Sequence, residues 1–181
     1  MKNSQADTEN IVSKASNFAR AAHARMDQRR RYTGDPYIVH PAAVAATVTT
    51  VTADQAIICA AWLHDVVEDT DVTITQIESE FGLEVANLVS DLTDVSCAAD
   101  GNREARKRKD LEHTQAASAR ARLVKLADLI DNASSIITND PGFARVYMAE
   151  MAQLLPVLAD ADATLHARAR QIVDSYFAQT R

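Results

Sequence analysis

The chain has 181 residues, with 19 Lys and Arg against 25 Asp and Glu, and a formal net charge of −6. A hydrophobic share of 47 % with 24 % charged residues excludes a disordered chain, and the length suits one domain. The longest apolar stretch, 56–63, is far shorter than the ~20 residues of a membrane span, and the negative charge disfavours broad binding to nucleic acid.

Helix-forming residues dominate the whole chain. It contains 33 Ala but only four Gly and four Pro, and no segment alternates at period two, so the sequence predicts an all-α bundle of eight to ten helices. The predicted helices span, in chain order, residues 8–30, 41–51 with Pro41 as the first helical position, 54–68, 73–81, 83–92, 100–113, 116–137, 140–156 and 162–177. We expect them to form a single domain over 1–181.

The compartment can be inferred from the cysteines and the N-terminus. Only two cysteines occur, and neither has a Cys or His at metal-finger spacing. The polar segment after Met1 lacks the apolar core of a secretory signal. We therefore expect a reduced, cytoplasmic environment.

The densest chemistry lies in HDVVEDT at 64–70. On a continuous helix, His64 and Glu68 lie one turn apart on one face, with Asp65 and Asp69 on the neighbouring face. Three carboxylates and an imidazole at the end of an apolar helix require a positive charge among them, and this donor set suits a divalent cation such as Mn, Fe, Zn or Co. A solvated acidic helix end is the alternative interpretation.

Two distant segments add candidate ligands. His40 lies between prolines in PYIVHP, a rigid turn that suits a ligand, although this side chain could instead cap the second helix. Asp128 lies within the apolar LVKLADLIDN, where a buried aspartate is rare unless paired or metal-bound, and Lys125 is the competing partner.

Together these segments give a two-His, two-Asp set, comprising His40, His64, Asp65 and Asp128. Such a set leaves coordination positions for water and for a phosphoryl oxygen, as metal-assisted hydrolysis requires. Glu68 and Asp69 lie one turn from the ligands, where they can orient a water molecule and move its proton. The spacing does not assign this role to one of the two.

Basic residues are concentrated before the His40 loop, at 29–31, and in the helix over 103–109. Arginine and lysine suit phosphate oxygens. Acidic residues are interleaved in the second group, so a solvated helix face is the alternative, and we expect one or two of these residues to bind phosphate.

Four elements then carry a resemblance: RRRYTGDPYIVHP, WLHDVVEDT, the pair Thr93-Asp94 and LVKLADLIDN, in this order within residues 18–137. They resemble the HD-domain (p)ppGpp hydrolases of the Rel/Spo stringent-response family. The resemblance implies an HD-type helical bundle with its core at about 18–137. It also implies metal-dependent hydrolysis of the 3′-pyrophosphate of (p)ppGpp, giving GDP or GTP and pyrophosphate. Without room for a synthetase domain, the chain is similar to the stand-alone small alarmone hydrolases.

The resemblance also implies roles for single residues. It implies that Mn²⁺ is bound by the two-His, two-Asp set and that Glu68 and Asp69 are the catalytic pair. The implied substrate contacts are Arg31 against the purine (or Arg30, by a register slip), Tyr37 near the nucleotide and Asn132 near the ribose. They also include Ser135, at a position that is often Thr, and Lys107 (with Arg108) and Arg145 at phosphates. The other histidines, His23, His113 and His166, are expected to be surface or packing residues.

Three departures from the family pattern concern the nucleotide. Tyr32 stands where many members have Lys, the first helix lacks the glycine of AHxGQ, and Ala133-Ser134 replace a Met/Leu-Arg pair. They leave open another substrate such as (p)ppApp. A non-catalytic helical module that binds a nucleotide is a separate alternative. The expected partner is a small nucleotide, without nucleic acid or membrane, and the sequence leaves monomer or homo-oligomer open.

Overall fold

The computed structural model describes residues 10–180. Within them the chain forms ten α-helices: α1 Ile11–Arg25, α2 Val39–Thr49, α3 Gln55–Leu63, α4 Val66–Asp69, α5 Ile74–Phe81, α6 Leu83–Leu92, α7 Arg103–Ala116, α8 Ala119–Asn139, α9 Pro141–Leu154 and α10 Ala163–Gln179. Two 3₁₀ turns cover Ala98–Asp100 and Leu155–Leu158. These residues contain no β-strand, only an isolated bridge between Arg29 and Pro36. The all-α prediction is confirmed, whereas the expectation about a secretory signal concerns residues outside the described part.

Several helices begin at side chains that accept hydrogen bonds from their first turn. Asp54 accepts from the backbone N–H groups of Ala56 and Ile57, and Thr73 forms a reciprocal capping box with Gln76. Such caps contribute about 1 kcal/mol each. Asn102, Ser118, Asp140 and Asp162 cap α7, α8, α9 and α10 in the same way.

Three boundaries near the two-His, two-Asp set differ from the prediction. Helix α1 ends at Arg25, since Asp27 adopts a left-handed φ of 45° and turns the chain into a loop. Helix α2 begins at Val39 rather than at Pro41. The predicted helix over 54–68 is interrupted after Leu63, where the His64 side chain bonds the Ala61 carbonyl in the last turn of α3.

Helix α8 is the central element of the bundle. It packs against α2, α3, α6, α9 and α10, and its predicted apolar stripe is buried, comprising Leu123, Val124, Leu126, Ala127 and Ile130. Asp128 is also buried on this helix, with 6 % of its surface exposed. The carboxylate at the middle of α8 thus lies close to helices α2 and α3. None of the described helices combines the length and the apolar character needed to cross a membrane.

Candidate metal centre

Four side chains from three parts of the chain converge on one point. His40 Nε2 lies 3.2 Å from Asp128 Oδ1 and 3.5 Å from Asp65 Oδ2. His64 Nε2 lies 3.1 Å from Asp65 Oδ2, 3.3 Å from His40 Nε2 and 3.9 Å from Asp128 Oδ1. His40, His64 and Asp65 place their ligand atoms within 4.8 Å of one another, close enough to share one cation, and Asp128 Oδ1 faces the same two imidazole nitrogens. We refer to these four residues as the metal centre.

The outer nitrogens of both imidazoles are bonded to acceptors. His40 Nδ1 lies 2.6 Å from Asp131 Oδ2, and His64 Nδ1 lies 2.9 Å from the Ala61 carbonyl oxygen. A carboxylate and a carbonyl only accept, so we assign a donating proton to each Nδ1. Both rings therefore direct Nε2 at the centre, and two Nε2 lone pairs 3.3 Å apart require a proton or a metal ion between them.

Asp128 contacts Lys125 and the centre at the same time. Lys125 Nζ lies 3.2 Å from Asp128 Oδ2, whereas Oδ1 is the oxygen nearest His40. Burial opposes ionisation of Asp128, but Lys125, His40 and His64 outweigh it and lower the pKa of this carboxyl group. Asp128 can therefore pair with Lys125 through Oδ2 and still act as a metal ligand through Oδ1.

The metal affinity should depend on pH through His40. Burial opposes the charged imidazolium, but hydrogen bonds to Asp128 and Asp131 outweigh burial and raise the pKa of His40 to about 9 without a metal. A cation must displace this proton, and Asp65 and Asp128 outweigh burial to raise the pKa of His64 as well, so the affinity should rise by at least about tenfold per pH unit below pH 9, with proton release. Anaerobic Mn²⁺ titration calorimetry between pH 6.5 and 8.5 measures both quantities; a flat affinity would contradict this assignment.

The two carboxylates of α4 differ in their surroundings. Burial, followed by the charges of Asp94 and Asp65, raises the pKa of Glu68 to about 7. Glu68 Oε2 accepts from the Asp94 backbone N–H at 3.3 Å, and Asp69 Oδ2 accepts from Gln28 Nε2 at 2.8 Å. A carboxyl group that titrates near neutrality can both take and give a proton, which suits Glu68 to proton transfer.

The metal centre opens into a cavity of about 280 Å³, which Asp65, Asp128, Glu68 and Asp69 line on one side and residues of α7 and α9 on the other. Three predicted substrate contacts, Tyr37, Lys107 and Asn132, also line it.

Tyr37 and Asn132 also orient metal ligands. Tyr37 Oη donates to Asp65 Oδ2 and Asn132 Nδ2 donates to Asp128 Oδ1, both at 2.6 Å. The cavity thus brings most of the predicted site together.

Arg31, Ser135 and Arg145 lie outside this cavity lining. Arg31 is exposed, with its guanidinium 5.5 Å from the centre of the Tyr32 ring. Arg145 is exposed on α9, and Ser135 is half-buried one turn beyond Asn132. Their substrate roles stay predictions. Arg30, the alternative to Arg31, reaches Asn132 Oδ1 at 3.3 Å.

Helix α7 carries three cations at a second recess beside Glu68. Arg103, Arg106 and Lys107 line a smaller recess of about 240 Å³ that also contacts Glu68. Arg108 is exposed and lines neither cavity, and Lys109 pairs with Asp100 at 2.9 Å. We refer to the recess lined by Arg103, Arg106 and Lys107 as the basic recess.

Sequence reasoning missed Asp131, Tyr147 and Glu150. Asp131 follows Asp128 by three residues on α8, a spacing that puts both on one helix face, so its signal was present in the sequence. Tyr147 and Glu150 line the cavity from α9. Glu150 forms a bidentate ion pair with Arg103 at 2.7 and 2.8 Å, a pairing that no local pattern indicates.

Comparisons with known proteins identify the family of this chain. The HD domain family matches residues 15–165. The guanosine-3′,5′-bis(diphosphate) 3′-pyrophosphohydrolase MESH1 of Xenopus tropicalis is 39 % identical over 124 residues, covering 67 % of each protein. A probable guanosine-3′,5′-bis(diphosphate) 3′-pyrophosphohydrolase of Synechocystis is 37 % identical over 153 residues, 83 % of this chain but 20 % of that protein. This chain thus spans about a fifth of the Synechocystis relative.

A solved structure shows the same fold almost end to end. It is that of a metazoan ortholog of SpoT, described as hydrolysing ppGpp and playing a role in starvation responses. It superposes with a TM-score of 0.81 at 28 % identity and covers 97 % of this chain and 98 % of that chain. The chain therefore belongs to the HD domain family, in the group that contains the MESH1 proteins.

Proposed function

We propose that this protein hydrolyses the 3′-pyrophosphate of guanosine alarmones, converting (p)ppGpp to GDP or GTP and pyrophosphate. The observation that carries the proposal is the metal centre next to Glu68, opening on a cavity with basic residues at its far side. The activity in the names of the MESH1 and Synechocystis relatives supports the choice of substrate.

A cation bound at the metal centre would lower the pKa of a water molecule and polarise a phosphoryl oxygen. Glu68 takes the proton of the attacking water and returns it to the 3′ oxygen that leaves phosphorus. Burial and the charges of Asp94 and Asp65, which raise the pKa of Glu68, favour this use of the carboxyl group. The basic recess offsets the negative charge of the phosphates. Tyr37 and Asn132 hold Asp65 and Asp128 in place.

The proposed metal is Mn²⁺, because imidazole with carboxylate is a donor set that Mn²⁺ accepts and no thiolate lies in the set. We further propose one functional domain, since the helices pack around α8, and a cytoplasmic location, in keeping with the two unpaired thiols of Cys59 and Cys97.

A nucleotide panel with Mn²⁺ tests the function. It compares ppGpp and pppGpp with ppApp and with nucleotides that carry only 5′ phosphates. The proposal expects pyrophosphate and GDP or GTP from the guanosine 3′-pyrophosphates. Turnover of 5′-only nucleotides alone would contradict it. Preference for ppApp would assign the adenine alarmone. The panel includes ppApp because the sequence departs from the family pattern at Tyr32 and at Ala133-Ser134; Tyr32 donates to Asp140, Ala133 is buried, and neither lines the cavity.

Lys107→Gln should weaken substrate binding, and Arg108→Gln is its matched control. Lys107 lines the cavity and the basic recess, whereas its neighbour Arg108 lines neither. We expect KM to rise about tenfold for Lys107→Gln, corresponding to about 1.4 kcal/mol, and less than about twofold for Arg108→Gln. Steady-state kinetics on ppGpp measure both, and equal effects would show that helix charge alone matters.

A further inference from the structure

His23 is buried although the chemistry proposed above does not use it. It lies in α1 with 1 % of its surface exposed. His23 Nδ1 lies 2.6 Å from Gln28 Oε1, and Nε2 has no hydrogen-bond partner among residues 10–180. Burial is the main cause that lowers the pKa of this imidazole. The ring is therefore neutral at pH 7, with its proton on Nδ1, where an acceptor is present.

The Gln28 amide is held at both ends. The Asp69 carboxylate can only accept, so Gln28 Nε2 faces it and donates to Oδ2 at 2.8 Å, which turns Oε1 toward His23 as the acceptor of its Nδ1 proton. The Gln28 backbone is fixed as well, since its N–H donates to the His23 carbonyl at 3.1 Å and its carbonyl accepts from Tyr37 at 3.0 Å. If the amide were reversed, the Gln28 Nε2 donor would face the His23 Nδ1 donor, and the Gln28 Oε1 acceptor would face the Asp69 Oδ2 acceptor.

The same imidazole also packs against Tyr37, which bonds a ligand of the metal centre. The ring centroids of His23 and Tyr37 are 4.8 Å apart, and Tyr37 Oη donates to Asp65. His23 thus contacts Gln28, which bonds Asp69, and Tyr37, which bonds Asp65, but it is neither one of the four metal-centre residues nor a lining residue of the cavity.

We propose that His23 and Gln28 are positioning residues that hold the Asp69 carboxylate through Oδ2 and leave Oδ1 for the reacting water or the pyrophosphate. This inference rests on the proposed function. It assigns to α1 and its following loop a part in turnover rather than in metal binding. Misplacement of a reacting group by about 1 Å can cost on the order of 100-fold in rate.

Gln28→Glu and Gln28→Met test the donor at this position. Glutamate keeps the shape of the side chain but places an oxygen instead of an N–H donor next to Asp69 Oδ2. Methionine removes the donor without adding charge. We expect kcat to fall about 10- to 100-fold in both, with KM within about threefold of wild type and with the metal content and melting temperature preserved. An unchanged kcat in either folded variant would overturn the proposal.

Two variants of His23 separate positioning from packing. His23→Asn can present an N–H close to the place of Nδ1 but leaves a cavity, whereas His23→Phe fills the space and cannot donate. If His23 positions Gln28, the asparagine variant keeps more kcat despite a lower melting temperature. If His23 only packs, kcat follows stability and the phenylalanine variant is the more active, which would overturn the proposal.

The ring tautomer gives a readout that does not need turnover. Long-range ¹H–¹⁵N spectra of the metal-free protein should show His23 protonated at Nδ1 near pH 7, and protonation at Nε2 would overturn the proposal. A wild-type protein that cleaves no 3′-pyrophosphate but shows the Nδ1 tautomer would refute the proposed function alone. The kinetic comparison would then use whichever nucleotide the protein does cleave.

Discussion

Asp128→Asn is expected to lose bound metal and, with it, hydrolysis. The substitution keeps the size of the side chain but removes the negative charge of Oδ1, which lies 3.2 Å from His40 Nε2. Since even outer partners of metal ligands contribute roughly 10- to 100-fold to affinity, loss of a direct anionic ligand should weaken binding by more than about 100-fold. Elemental analysis of the purified protein, in metal ions per chain, measures this.

Asp110→Asn is the matched control for this experiment. Asp110 is another buried aspartate on the same cavity, and it too has a lysine partner, Lys107 at 3.5 Å. It also accepts two hydrogen bonds from Ser96 and contacts none of the four ligands. This variant should keep the wild-type metal content. Equal loss in both variants would show that any buried charge change disrupts the site.

Glu68→Gln should separate turnover from metal binding. The amide oxygen can still accept from the Asp94 backbone, as Glu68 Oε2 does, but the side chain no longer takes a proton. We expect kcat to fall about 10²- to 10⁴-fold, the range for loss of a general acid–base group, with metal content unchanged. Steady-state kinetics with metal analysis on the same sample decide between this outcome and a role in metal binding.

The acidic side of the wild-type pH–rate profile should report the ionisation of Glu68. Because burial and the charges of Asp94 and Asp65 raise the pKa of Glu68 to about 7 in the metal-free protein, a bound cation should move it lower. At Mn²⁺ concentrations that keep the metal centre filled at every pH, kcat should therefore fall as the pH drops through this lowered pKa and Glu68 becomes protonated; a pH–rate profile measures this.

The ligand residues could be named from the sequence because their signal is local. An aspartate in an apolar helix and a histidine between prolines are unusual in themselves, whatever they contact. That these residues share one cation is an inference from their residue types. In the structure, the five contacts described above between their ligand atoms measure 3.1–3.9 Å. The assumed continuous helix through His64 was wrong, but its interruption still leaves His64 and Asp65 facing one point.

The supporting contacts could not be predicted, since they join residues far apart in sequence. Gln28 and Asp69 are separated by 41 positions, and Arg30 and Asn132 by 102. In the loop after α1, the path of the backbone decides whether Arg30 or Arg31 reaches α8. The run of three arginines in the sequence does not indicate which of the two it is. His23, expected to be a surface or packing residue, proves to be buried and bonded to Gln28.

The most direct test of the account is an anomalous-difference map at the manganese absorption edge, from crystals grown with Mn²⁺. One peak should lie roughly 2.0–2.3 Å from His40 Nε2, His64 Nε2, Asp65 Oδ2 and Asp128 Oδ1. A well-ordered site without a peak at this point, or with Mn²⁺ bound elsewhere, would contradict the account.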